Sequence, residues 1–141
     1  MTGKEALEKI KKMDDALDGK RTMINYYREK AKSPTSSSFE PKYDPNPPRE
    51  SPIERCLIKL VDLEKDYEES ERAFEEYKEK MTNIISSLSS SDLIKILMMR
   101  YIEYKEWKEI KTYMAYSESS VFRLHGIGLN EFDRLLKRDS K

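Results

Sequence analysis

Cysteine and histidine each occur once, as Cys56 and His125. No disulfide can close within the chain, and one residue of each kind cannot make a Cys/His zinc site. No apolar run approaches the ~20 residues that a membrane helix needs. The opening stretch MTGKEALEKIKKMDD has no apolar segment of a secretory signal, so the expected location is the cytoplasm and no membrane partner is expected. Glycine is scarce, at four residues, and none lies in a phosphate-cradling loop. With a single histidine a Ser/His/Asp triad has little to work with, so no catalytic residue, metal ligand or cofactor is expected. An excess of one charge is missing too. Lys and Arg total 27, as do Asp and Glu, so bulk charge points to no polyanionic partner.

What is present is charge of both signs. Charged residues make up 38% of the 141 residues, and the mean hydropathy is −0.87. Such a chain suits solvent-washed helices around a modest core. The charge is unevenly spread. Residues 1–33 hold nine basic and six acidic side chains (+3), residues 52–91 six and ten (−4), and residues 92–141 ten and eight (+2). All six prolines fall between Pro34 and Pro52, among Ser36, Ser37 and Ser38, which marks 34–52 as a linker.

The expected fold is all-α. Residues 1–33 form an N-terminal helix with Leu7, Ile10, Met13, Leu17, Ile24 and Tyr27 on one side and a weak point at Asp18-Gly19. Residues 53–90 form a long helix that Pro52 opens. Ile53, Leu60, Tyr67, Phe74, Met81 and Leu88 step by sevens, and Cys56, Leu63, Ser70, Tyr77 and Ile84 make a second track. These are the two apolar positions of a heptad, with Ser70 alone out of character. Such a narrow stripe needs a partner, either the first helix folded back antiparallel or a second copy of the chain. Cys56 sits on the seam and reads as buried filler. The acidic face around Glu64, Asp66, Glu68, Glu69, Glu71, Glu75, Glu76 and Glu79 is either a solvated surface or a dock for a basic protein.

Residues 91–141 carry the most informative order. A helix from Asp92 to Tyr101 is followed by a break near Glu103–Lys105, then by a short helix with Trp107, Ile110 and Met114. After Ala115-Tyr116, Ser117 stands as the N-cap of another helix bearing Val121, Leu124, Leu129 and Phe132. Two short helices meeting at a tight turn, the second opening on small polar residues, spell a helix-turn-helix, whose second helix enters a DNA major groove.

Leu97–Phe132 resembles region four of bacterial sigma factors, through Leu97-Met98-Met99-Arg100-Tyr101, Trp107, Ile110, Ser117, Val121 and Leu129. The whole chain is similar to phage late-gene transcriptional regulators of the RinA and ArpU type, through Arg100-Tyr101, Trp107, Glu109-Ile110, Tyr116-Ser117, Val121, Arg123, His125 and Leu129. The resemblance implies a regulator of late-gene promoters in a bacterial host, with double-stranded DNA as partner and host RNA polymerase as a second candidate. A homo-oligomer through the heptad helix is a third. It also implies that Glu118, Ser119 and Arg123 face base edges and that Ser120 and Phe122 face backbone and sugars. Lys108 completes the candidate DNA-contacting set. Two positions depart from the pattern: Lys111 where alanine is usual, and Ala115 where glycine is usual.

Alternatives stay open. The rival reading of Glu118, Ser119, Ser120, Phe122 and Arg123 is an ordinary exposed helix face. His125 either touches a phosphate or packs against the turn. Gly126 and Gly128 permit close approach either of DNA or of a neighbouring helix. Trp107, Tyr101 and Tyr104 are stacking platforms or core, and helical spacing beside Ile110 favours core for Trp107. At the level of the whole chain, the rivals are a small terminase-like packaging factor and a protein-only helical interaction module.

Overall fold

The computed structural model describes residues 1–32 and 51–139. Most of the proposed linker 34–52 therefore lies outside the described residues; Ser51 and Pro52 do not. The protein is all-α, with no strand among the described residues. Its helices are α1 (Gly3–Lys32), α2 (Pro52–Ser86), α3 (Ser91–Leu97), α4 (Trp107–Met114) and α5 (Glu118–Asp139), and one π turn (Met98–Ile102) prolongs α3.

Local chemistry accounts for most of the helix ends. Ser51 and Glu54 cap α2 reciprocally, the Ser51 hydroxyl accepting from the Glu54 amide and the Glu54 carboxylate from the Ser51 amide. Ser90 caps α3 by accepting from the Leu93 amide at 3.3 Å. The expected weak point at Asp18-Gly19 does not interrupt α1. Around it, Asp18 pairs with Arg21 at 2.6 Å and its carbonyl accepts from the Thr22 hydroxyl.

The chain forms two compact units. The sequence boundaries at 33 and 52 mark the connection between α1 and α2, whereas the units divide inside both helices. One unit spans Asp15–Arg72. Its buried side chains are Leu17, Ile24 and Cys56. Polar ties add to them: Lys20 to Asp66 at 2.9 Å, Arg28 to Glu64 at 2.8 Å, and Arg21 to the Tyr67 hydroxyl at 2.6 Å. From Lys20–Ser70 through Arg21–Tyr67 to Arg28–Glu64 the partner number falls as the α1 number rises, so the two segments run antiparallel. Ser70, out of character as a seam residue, accepts a hydrogen bond from Lys20. Within this unit Leu57, Ile58 and Val61 are exposed, and so is Ile53, at the start of the heptad track.

The other unit joins Met1–Asp14 to Ala73–Lys141. The start of α1 is thus part of its core: Ala6, Leu7 and Ile10 are buried with Phe74, Met81, Ile84, Ile85, Leu88, Leu93, Ile96, Leu97, Ile110, Val121 and Phe132. Gly3 is required by close approach, since a Cβ there would stand 3.0 Å from the Asp133 Cα and from the Phe132 ring. Its amide donates to the Asp133 carboxylate at 2.7 Å. Lys137 first, and then this amide, hold the Asp133 carboxyl below its ordinary range. The Tyr77 hydroxyl donates to the Ala6 carbonyl at 2.6 Å. No described helix is long and apolar enough to cross a membrane.

Candidate nucleic-acid interface

α4 begins at a reciprocal cap. Glu106 accepts from the Glu109 amide while the Glu109 carboxylate accepts from the Glu106 amide. It ends at Ala115, which adopts the left-handed conformation (φ 56°, ψ 34°). Glycine takes this conformation freely, while an alanine Cβ crowds the neighbouring carbonyl. The departure at Ala115 is therefore a strained helix end. Lys111, the other departure, has its side chain in solvent, and Ile110 and Val121 are the buried residues of α4 and of the first turns of α5.

Ser117 opens α5 as anticipated. Its hydroxyl accepts from the Ser120 amide at 3.2 Å, and its carbonyl accepts from the Val121 amide at 3.0 Å. The Ser119 and Ser120 hydroxyls gather on the same oxygen, at 3.3 and 2.9 Å. Tyr116 ties the turn to α3, its hydroxyl donating to Asp92 at 2.7 Å; that bond raises the phenol's pKa.

Behind α5, Val121, Gly128 and Phe132 are buried. Gly128 faces Leu93 and Leu97 at 3.6–3.7 Å from where a Cβ would stand. Helix packing thus accounts for that glycine. On the flank of α4 and α5 lies an aromatic stack that sequence reading found only in pieces. Trp107 meets Phe122 edge-on at 5.1 Å and His125 at 4.6 Å, and the Arg100 guanidinium lies over its ring at 4.6 Å. His125 stacks on Tyr101 and its Nε2 lies 2.8 Å from the Tyr101 hydroxyl. Burial, then Lys4 and Arg100, push the His125 pKa down to about 4, while burial pushes the Tyr101 phenol up to about 12. A neutral imidazole packed in this stack is poorly suited to pair with a phosphate. Tyr104 is also engaged, donating to Asp14 at 2.9 Å. Phe122 and His125 stand three apart on α5 and so share a side of it, but periodicity does not say that Trp107 and Arg100 meet that side.

The six candidate contact residues fall as follows. Glu118, Ser119 and Arg123 are exposed at the start of α5, and Lys108 is exposed on α4. Ser120 is half-buried and held by Ser117. Phe122 is 43% exposed, with its inner edge against Trp107. Among the described residues Glu118 and Arg123 make no side-chain hydrogen bond or ion pair. Ser119, Phe122 and Arg123 share one helix face, which Gly126 and Ile127 continue. Chemically the face offers a guanidinium, a carboxylate, hydroxyls and an apolar ring edge. No group of three or more potential metal-ligating side chains occurs among the described residues.

No protein-family model, curated protein or solved structure matches the chain.

Proposed function

We propose that the protein is a sequence-specific, double-stranded-DNA-binding transcriptional regulator that acts at phage late-gene promoters through a sigma-region-four-like helix-turn-helix. One observation carries the reading: at the start of α5, capped by Ser117, the side chains of Glu118, Ser119 and Arg123 are exposed, and those of Glu118 and Arg123 make no hydrogen bond or ion pair among the described residues. Ile110, Val121 and Phe132 anchor that helix from behind, so the tip is presented rigidly.

In the mechanism this supports, α5 enters the major groove. The Arg123 guanidinium pairs with guanine O6 and N7, Glu118 accepts from a cytosine amino group, and the exposed edge of Phe122 meets a thymine methyl. Ser119 joins them at the base edges. Ser120 and Lys108 face the phosphate backbone, which positions the helix without reading sequence. One copy carries few cations at this end, so affinity from a single site is modest and falls steeply with salt. Two sites on one assembly raise it through effective concentration. A homo-oligomer would join copies through the exposed Ile53, Leu57, Ile58 and Val61, because the heptad seam of Asp15–Arg72 is already occupied by α1. Host RNA polymerase is the second proposed partner, met by the acidic face of α2.

A protein-only interaction module is the rival that an observation favours, since the overall charge is zero and Phe122 and Ile127 expose apolar surface on the same face. A duplex enriched from a random DNA pool by the full chain, followed by fluorescence anisotropy at low salt, separates the two. DNA binding predicts enrichment, and a roughly 10- to 100-fold loss in Arg123→Ala. Wild type and Arg123→Ala equally inert toward DNA would leave only the protein module.

A further inference from the structure

The first turns of α2 carry an apolar patch outside the seam with α1. Ile53, Leu57, Ile58 and Val61 are 42, 47, 50 and 63% exposed. Beyond Val61 the pattern stops, and no large hydrophobic side chain is exposed in the rest of α2. Cys56, Leu60, Leu63 and Tyr67, buried or half-buried, mark the side of α2 turned to α1. At 3.6 residues per turn, Glu54, Ile58, Val61 and Lys65 stand on the opposite side.

The order along that outer side says what covers it. Glu54, Ile58, Val61 and Lys65 are spaced i, i+4, i+7, i+11, the period of a second helix-pairing stripe, with Leu57 at its edge. An acid closes one end and a base the other. Laid antiparallel on a second copy, the stripe sets Ile58 of each copy against Val61 of the other. The same register sets Glu54 against Lys65 at both ends and brings Arg55 to Asp62 along the flank. Each contact then occurs twice, as a two-fold interface requires. A parallel copy would set Glu54 on Glu54 and Lys65 on Lys65, which repel. The charges are available for this. Arg55, Asp62 and Lys65 are exposed without an ion pair among the described residues, whereas Glu64 and Asp66 are taken by Arg28 and Lys20 of α1. One Glu54 oxygen caps Ser51, and the other remains for the pair.

We infer that two copies of the chain pair through the outer side of α2, antiparallel, over Glu54–Lys65. This rests on the homo-oligomer proposed above and gives it a direction and a register. The contact covers about 17 Å of helix. A few half-exposed side chains per copy fall short of the roughly 1,200 Å² that a stable complex buries, so the dimer is weak and dissociates on dilution.

Sedimentation equilibrium of the full chain without DNA, from roughly 10 µM to 1 mM, tests it. The wild type is expected to dimerise within this range and Val61→Asp to stay monomeric. Lys65→Glu is expected to weaken the dimer at least about 10-fold, and the double reversal Glu54→Lys with Lys65→Glu to restore it. Circular dichroism checks that each variant keeps its helices; all three positions are exposed. A wild type monomeric throughout the range overturns the inference and leaves the patch to a different partner. A wild-type dimer that Lys65→Glu leaves untouched overturns the antiparallel register. Because no DNA is present, either failure leaves DNA binding by a single copy standing. A wild type that dimerises but enriches no duplex loses the DNA-binding reading alone.

Discussion

The two compact units are built from the same two long helices yet are held together by different physics. In the unit containing α3, α4 and α5, Leu7, Ile10, Ile85, Ile96, Leu97, Ile110 and Phe132 have no exposed surface at all. In Asp15–Arg72 the fully buried side chains shrink to Leu17, Ile24 and Cys56, and charged pairs at half-exposed positions add to them. Apolar burial stabilises by about 25 cal/mol per Å² and is insensitive to salt. Exposed ion pairs contribute roughly 0–1 kcal/mol each and are screened by it. The proposed DNA-contacting helix therefore stands on the firm unit, and the segment carrying most of the acidic face belongs to the soft one.

The strongest way to break this comparison is truncation of one core residue in each unit. Phe132→Ala should cost about 3–5 kcal/mol in urea or thermal unfolding, whereas Ile24→Ala, in a sparsely buried unit that can close up, should fall near or below the lower end of the ~2–5 kcal/mol typical of Ile→Ala. Equal losses would show that the two cores are equally tight.

The next effect is confined to the firm unit and concerns pH. The folded pKa of His125 is about 4, below its ordinary 6.5, so the unfolded chain binds the proton more readily. Stability should be full above pH 6.5 and should decline as pH falls from 6.5 toward 4. Because His125 is only half-buried, solvent screening brings the effect to about 1 kcal/mol. Melting curves of wild type and His125→Asn between pH 4 and 8 check it; the variant should lose this slope, and a persistent slope would assign it to other groups.

Ala115 offers a smaller gain. Ala115→Gly should stabilise by about 0.5–1 kcal/mol, the relief of the left-handed alanine less the added freedom of glycine in the unfolded chain. Stability unchanged or lowered in a thermal melt would show that the turn is not strained. The smallest effect belongs to the soft unit. Raising salt from 0.05 to 1 M should speed amide exchange in Gly19–Lys32 by an amount corresponding to less than about 1 kcal/mol, and leave Ser91–Leu97 unchanged.

The legible part of the fold followed from period and punctuation. Ser117 and Pro52 stand at helix starts because a hydroxyl or an imide suits those positions whatever the surroundings. The heptad tracks likewise mark the inner side of α2: Phe74, Met81 and Ile84 are buried, and Leu60, Leu63 and Tyr67 half-buried. Less was legible at the candidate site. The exposed residues 118, 119 and 123 were identifiable from their place after the cap. The packing of Phe122 and His125 on Trp107 was not, because it depends on which helix faces meet. Nor did the sequence show that Gly3 packs on Phe132 and Asp133, about 130 positions away.

By itself the amino-acid order determined an all-α chain, its helix starts, the inner side of its long helix and the polar opening of α5, since these rest on interactions within a few residues. Only the tertiary structure decided that the start of α1 belongs with α3, α4 and α5, that His125 is held neutral in an aromatic stack, and that Gly128 faces Leu93 and Leu97. Those outcomes turn on which surfaces meet across long stretches of chain, and no local periodicity encodes that.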